Sequence, residues 1–151
     1  MKTLTFVLLI AVCWTVGAQN PPPHPYASPE TAVAFDGYDL TSYFAGKTEK
    51  GTQAFETKYD GLTLRFVSEA NQKAFLSNPD KYLPAYGGWC AIALTQGSWV
   101  EPNFAHFKIQ EGKLLFFEVR AFFNGKTAWE KDPDINMIMA DRKYQEMLAA
   151  E

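Results

Sequence analysis

The chain has 151 residues, 47% of them apolar, and its 17 acidic side chains outnumber 14 basic ones for a net charge of −3. That length suits a single domain able to bury its own core. The acidic balance speaks against nucleic acid as a partner, because such binding needs a basic surface.

Residues 1–18 read as a secretory signal peptide. Lys2 gives a minimal basic start, residues 4–16 form an apolar run, and Val16, Gly17 and Ala18 supply compact residues for cleavage before Gln19. The run is short for a bilayer and no other stretch approaches the needed length, so no membrane span is expected after cleavage and the protein is placed as secreted or periplasmic. Lipid attachment at Cys13 is the rival processing, disfavoured by the bulk of Val12 before it. Cleavage removes Lys2 and Cys13, which brings the net charge near −4 and leaves Cys90 as the one thiol. An unpaired cysteine in an oxidising compartment is buried, bound to a ligand or paired with a second molecule, so a homodimer stays open. Residues 19–31 carry five prolines and read as an extended Pro-rich linker, with His24 as a solvated member of it.

The domain is assigned to residues 32–149. Residues 32–35 are predicted as a short strand, Asp36-Gly37 as its turn, and residues 38–44 as one or two turns of helix with Tyr43 and Phe44 inward. Asp60-Gly61 then marks a two-residue type I′ hairpin. Counting outward pairs Tyr59 with Leu62, Thr57 with Leu64 and Phe55 with Phe66, and sets Glu56 opposite Arg65. Ser68 is a natural cap for a helix over residues 69–77 that turns Ala70, Ala74 and Phe75 inward and ends at Asn78-Pro79. A second hairpin, residues 104–110 and 113–119 around Glu111-Gly112, sets Ala105, Phe107 and Ile109 with Leu114 and Phe116, leaving His106 and Lys108 on the other face. The last third is predicted helical, first over residues 120–130 and then from Asp132 as N-cap with Pro133 at the first helical position. Its inward stripe is read as Ile135, Ile138 and Met139, extended by Ala140, Tyr144 and Met147. No repeat of solenoid type is visible. Two hairpins forming a small antiparallel sheet, with several short helices packed against it, make an α+β fold.

The candidate functional stretch is residues 82–91. Gly87 and Gly88 let the backbone approach a ligand closely, and Tyr82, Tyr86 and Trp89 bring aromatic walls. Gly88 is placed as the cap of a helix with Cys90 in its first turn and Gln96-Gly97 at its end, a setting in which backbone N–H groups and the helix dipole favour a thiolate. The competing reading makes Cys90 a small buried hydrophobe. The candidate ligand pocket is therefore Tyr82, Tyr86, Gly87, Gly88, Trp89 and Cys90, with Cys90 as metal ligand or redox-active catalytic residue. Trp99 and Trp129 are read as core or pocket wall, with core favoured.

The residues Tyr59-Asp60-Gly61, Leu64-Arg65-Phe66, Ser68, Phe75, Asn78-Pro79-Asp80-Lys81-Tyr82, Pro84 and Tyr86-Gly87-Gly88-Trp89-Cys90-Ala91 together resemble a YHS domain in its small exported form. Further likeness lies in Phe35-Asp36-Gly37-Tyr38-Asp39, Ser42-Tyr43-Phe44, Gln96-Gly97, Gly112-Lys113-Leu114, Trp129-Glu130-Lys131-Asp132 and Ala140-Asp141. The resemblance covers roughly residues 32–144 and implies handling of heavy metals, copper among them, or thiol chemistry at Cys90, where some exported relatives carry selenocysteine. The intracellular members open on an Asp-Pro-Val-Cys-Gly-Met motif, whereas here Asp36-Gly37-Tyr38-Asp39-Leu40 brings no sulfur.

Three functions remain open. The chain is a non-catalytic module that offers Cys90 to a small ligand or a soft metal ion such as copper, or a thiol redox protein in which Cys90 is oxidised and rescued by an outside thiol, or an interaction domain with an inert Cys90. One cysteine and two histidines after cleavage do not make a closed zinc site. No serine triad, paired-carboxylate pattern or phosphate loop is present to suggest a hydrolase or nucleotide enzyme.

Overall fold

The computed structural model describes residues 26–27 and 33–150. The signal peptide, Cys13, His24, Ala32 and all of the Pro-rich linker but Tyr26 and Ala27 lie outside the described residues. The fold is α+β, with small two-stranded antiparallel ladders and several helices.

The first hairpin joins β1 (Thr52–Tyr59) to β2 (Leu62–Phe66). Asp60 and Gly61 both take positive φ, as a type I′ turn demands. Tyr59 faces Leu62, Thr57 faces Leu64 and Glu56 faces Arg65, whose Nε donates to the Glu56 carboxylate at 3.0 Å. The expected pairing of Phe55 with Phe66 does not form. A bulge between Thr52 and Glu56 shifts the register, and Phe66 pairs with Thr52. The second hairpin, β3 (Asn103–Gln110) and β4 (Lys113–Phe117), repeats the arrangement around Glu111 and Gly112. Ile109 pairs with Leu114 and Phe107 with Phe116; a bulge between Asn103 and Phe107 takes Ala105 out of the ladder and leaves it exposed, while Phe104 is buried. β4 stops at Phe117, and the two hairpins form separate ladders instead of one sheet.

The two halves of the domain follow one plan at a fixed offset of 51 residues. β1 and β3 begin at Thr52 and Asn103, β2 and β4 at Leu62 and Lys113, and the two bulges occupy equivalent places. Before each hairpin comes a 3-10 turn, Ala34–Gly37 or Ala85–Gly88, with three consecutive residues in the left-handed region: Phe35, Asp36 and Gly37 in one, Tyr86, Gly87 and Gly88 in the other. Backbone bonds recur at the same offset. Tyr38 N–H donates to the Phe35 carbonyl and Trp89 N–H to that of Tyr86, Gly46 to Tyr43 and Gly97 to Leu94, Asp39 to Glu49 and Cys90 to Val100. This duplication was not anticipated from the sequence. Its trace there is limited to recurring small and apolar residues such as Gly37 and Gly88, Gly46 and Gly97, Gly61 and Gly112, and Phe66 and Phe117.

After the hairpins the halves diverge. Behind β2 comes α1 (Glu69–Ser77), capped as expected by Ser68, whose hydroxyl accepts from Asn71 N–H at 3.2 Å. It buries Phe75 but leaves Ala70 exposed, and α2 (Pro79–Tyr82) continues it past Asn78. Behind β4 the chain forms helix only over the second half of residues 120–130. It folds back as β5 (Val119–Arg120) and β6 (Phe123–Asn124), and Asn124 then caps the short α4 (Gly125–Trp129), accepting from Thr127 N–H at 3.1 Å.

The last helix, α5 (Pro133–Leu148), starts after Asp132 with Pro133 in its first turn. It buries Met137, Ala140 and Met147, and Ile135 and Ile138 stand 52% and 68% exposed. The two isoleucines of the predicted stripe are therefore on the wrong face, while Ala140, Tyr144 and Met147 lie inward as predicted and share their helical period with Met137. Among the described residues no helix is long and apolar enough to cross a membrane.

β4 organises the core, because its side chains alternate between two apolar clusters. Leu114 and Phe116 join Phe35, Leu40, Tyr43, Leu64, Phe66, Phe75 and Phe104. Leu115 and Phe117 join Trp89, Leu94, Trp129, Met137, Ala140 and Met147 on the opposite side. A strand covered on both faces reads as an unbroken apolar run, here Leu-Leu-Phe-Phe. The short strand predicted at residues 32–35 is replaced over its described part by the Ala34–Gly37 turn, which sends Phe35 into the first cluster.

Candidate functional site

Residues 84–90 run alongside β4, touching it in parallel bridges at Pro84–Leu114 and Cys90–Phe116. Between those bridges the Ala85–Gly88 turn loops out, and its left-handed angles explain the two glycines. At Gly88, φ is +86° and a Cβ would lie 2.9 Å from the Phe35 ring, so the backbone passes directly under an aromatic side chain. Tyr86 adopts the same region with a full side chain, a conformation that costs about 1–2 kcal/mol. Burial of its ring and a 2.8 Å hydrogen bond from its hydroxyl to Asp141 Oδ1 offset that strain. Burial, and then the bond to Asp141, push the Tyr86 phenol well above its ordinary pKa.

The predicted pocket does not assemble as one wall. Tyr82 packs with Phe44 and Phe75 beside the first cluster, whereas Tyr86 and Trp89 belong to the second. Trp89 stacks edge-on against Trp99, Trp99 against Tyr144, and Tyr144 against Tyr86, a chain of rings with centroids 5.4–5.8 Å apart. The indole N–H groups of Trp89 and Trp99 are buried without a hydrogen-bond partner among the described residues. Ala27 seats against this cluster and donates its N–H to the Gly87 carbonyl at 2.8 Å, while the Tyr26 hydroxyl reaches Asp60 at 2.7 Å. A groove of about 280 Å³ lies against the start of the segment, lined by Asp80, Leu83, Pro84, Ala85, Gly112 and Lys113; none of the six predicted pocket residues lines it.

Cys90 is 0% exposed. It does not sit inside the first turn of a helix capped by Gly88. It is itself the residue before α3 (Ala91–Leu94), a single turn closed through Gly97. Its sulfur accepts the N–H of Glu118 at 3.2 Å. Burial pushes the thiol above its ordinary pKa, and the nearby Glu118 carboxylate adds to this; the amides of Glu118, Ala93 and Ile92 pull the other way without reversing it. The expectation of a thiolate stabilised by the helix end is thus corrected: α3 is one turn long, and desolvation outweighs its N–H groups.

The duplicated plan gives Cys90 a structural counterpart. Its counterpart is Asp39, also 0% exposed. Asp39 Oδ2 accepts the N–H of Val67, the residue just past β2, at 2.9 Å; Cys90 Sγ accepts that of Glu118, just past β4. Asp39 is further held by the Thr41 amide and hydroxyl at 2.8 and 2.7 Å and by Asn71 Nδ2 at 2.7 Å. The positions matching Thr41 and Asn71 are Ile92 and Phe122, which offer no side-chain donor. A buried carboxylate needs its full set of donors, whereas a neutral thiol needs few. Sulfur therefore suits the second half. Among the described residues no group of three or more His, Cys, Asp or Glu side chains is arranged to hold a metal ion. No protein-family model matches the chain, and neither a curated protein nor a solved structure matches it.

Proposed function

We propose that this chain is a non-catalytic interaction module, of the exported YHS type that its central segment resembles, in which Cys90 is a packing residue. The observation that carries the reading is the position of the sulfur, closed to solvent and tying the end of β4 to the Cys90 turn, as the Asp39 carboxylate ties the end of β2. A desolvated thiol held above its usual pKa is a weak nucleophile and a poor metal ligand at neutral pH. One feature favours a second reading, thiol redox chemistry: the amides of Glu118, Ala93 and Ile92 all favour a thiolate and would act on the sulfur once local opening admitted a reagent.

The test is alkylation of the Cys90 peptide across pH in the folded chain and in urea, with elemental analysis of the purified protein and Cys90→Ala as control. Reaction confined to the unfolded chain, without bound metal, is the expected result. Alkylation of the folded chain with an apparent pKa below about 8.5 would establish the redox reading instead. Stoichiometric copper that disappears in Cys90→Ala would establish a soft-metal module.

A further inference from the structure

The place where the second half departs from the first carries the inference. After β2, the chain covers its hairpin with a capped helix that buries Phe75. After β4, the equivalent stretch projects outward as the β5–β6 hairpin, with Ala121 and Phe122 at its turn. Phe122 is fully exposed, and Phe123 and Val119 are 42% and 38% exposed. Large exposed aromatic rings cost solubility and add nothing to a core, and the first half shows that the scaffold closes without such a feature.

Beside the hairpin lies an open hollow of about 440 Å³, with Phe122, Phe123 and Val119 on its rim. Its lining includes two cations, Arg120 and Lys131, and no carboxylate. Arg120 pairs with Glu118, and Lys131 has no ion-pair partner among the described residues. The shape selects among occupants. A narrow tip of two adjacent rings is too small for the roughly 800 Å² per partner that a stable dimer buries. Two-residue strands offer no ladder on which an extended peptide could pair. Protruding aromatic rings with basic side chains behind them match the interface of a phospholipid bilayer, where rings sit among the headgroups and cations meet phosphate.

We infer that the β5–β6 hairpin is a membrane-docking finger that places Phe122 and Phe123 in the interface of an anionic bilayer, with Lys131 and Arg120 facing the headgroup phosphates. This inference does not depend on the role of Cys90, and the two are tested by separate readouts.

The experiment is co-sedimentation of the full chain with vesicles of phosphatidylcholine, with and without phosphatidylglycerol, at low and physiological salt. Binding to the phosphatidylglycerol vesicles is expected, weakening with salt. Phe122→Ser should weaken it roughly tenfold or more, since a buried Phe ring is lost, and Lys131→Gln by roughly fivefold. Both positions are exposed, and circular dichroism would confirm that both variants are folded. Failure to bind any vesicle, or binding that Phe122→Ser leaves unchanged, overturns the inference. So does concentration-dependent dimerisation abolished by Phe122→Ser, which would make a second copy the occupant. Binding of monomeric short-chain phosphatidylglycerol without binding of vesicles would overturn it in favour of a free amphiphile.

Discussion

Asp39 gives the sharpest quantitative test of how the domain is held together. Its carboxylate is fully buried, without a cation partner among the described residues, and accepts four hydrogen bonds of 2.7–2.9 Å. Two of the donors can adapt when the carboxylate is removed: the Thr41 hydroxyl rotates and the Asn71 amide can turn to other partners. The backbone N–H groups of Thr41 and Val67 are fixed by the turn and by the end of β2. Each orphaned buried N–H costs about 1–3 kcal/mol, so Asp39→Ala should destabilise the domain by about 2–6 kcal/mol. Asp39→Asn keeps one acceptor oxygen, so only one of the two amides faces a donor, and the loss should be about half as large, about 1–3 kcal/mol. Against the roughly 5–15 kcal/mol typical of a folded domain, both effects are measurable by urea titration followed by circular dichroism with a shared m-value. A loss under about 1 kcal/mol for Asp39→Ala would refute the donor count, and so would an Asn variant as damaged as the Ala variant.

At the matching position, Cys90→Ala should cost about 1–3 kcal/mol through the abandoned Glu118 N–H. Cys90→Asp should cost more, because Ile92 and Phe122 supply no side-chain donors and Glu118 adds a second negative charge; equal denaturation midpoints for the two variants would contradict this. Gly88→Ala combines a left-handed φ with a contact of 2.9 Å to the Phe35 ring, whereas Gly61→Ala meets open space and suffers only from its φ of +76°. The second should lose about 1–2 kcal/mol and the first about 1–3 kcal/mol more, read as the difference between two thermal unfolding midpoints. Burial, and then the Asp60 hydrogen bond, raise the Tyr26 phenol to about 12, and burial raises Tyr43, Tyr86 and Tyr144 as well. The folded state then keeps protons that the unfolded chain releases near pH ~10, so this stability is intact below about pH 10 and declines above it, the Tyr26 share being lost as pH rises through about 12. Denaturation midpoints followed with tyrosinate absorbance should fall across that window, and a flat profile would count against the buried phenols.

Local chemistry was legible in the sequence where a short rule decides it. Asp60-Gly61 and Glu111-Gly112 gave both hairpins and their first pairs, because a type I′ turn fixes register by itself. Ser68 gave the α1 cap for the same reason. Bulges lie several residues from those turns and depend on what the strand must reach, so the pairing of Phe66 with Thr52 and the displacement of Ala105 left no mark in the alternation. At the start of α5 the face is misread because Ile135 and Ile138 are more apolar than Met137, the residue buried there, whereas Ala140, Tyr144 and Met147 lie inward as expected.

The candidate site shows how far the reading of a chemically distinctive residue depends on what its counterpart does. A cysteine beside two glycines and a tryptophan looks like a site because each residue type has a use in catalysis or binding. Set beside its own counterpart 51 residues earlier, the same stretch has a different logic. The glycine pair serves a left-handed turn that the first half makes with Phe35, Asp36 and Gly37, and the sulfur takes the place of a carboxylate that ties down a strand end. The residues that the common plan does not require are elsewhere, on the hairpin that replaces α1 in the second half. Function that is added to a duplicated scaffold should appear where the copies differ, and here they differ most at Phe122, where the first half has Asn71 turned inward to Asp39 and the second half turns an aromatic ring out to solvent.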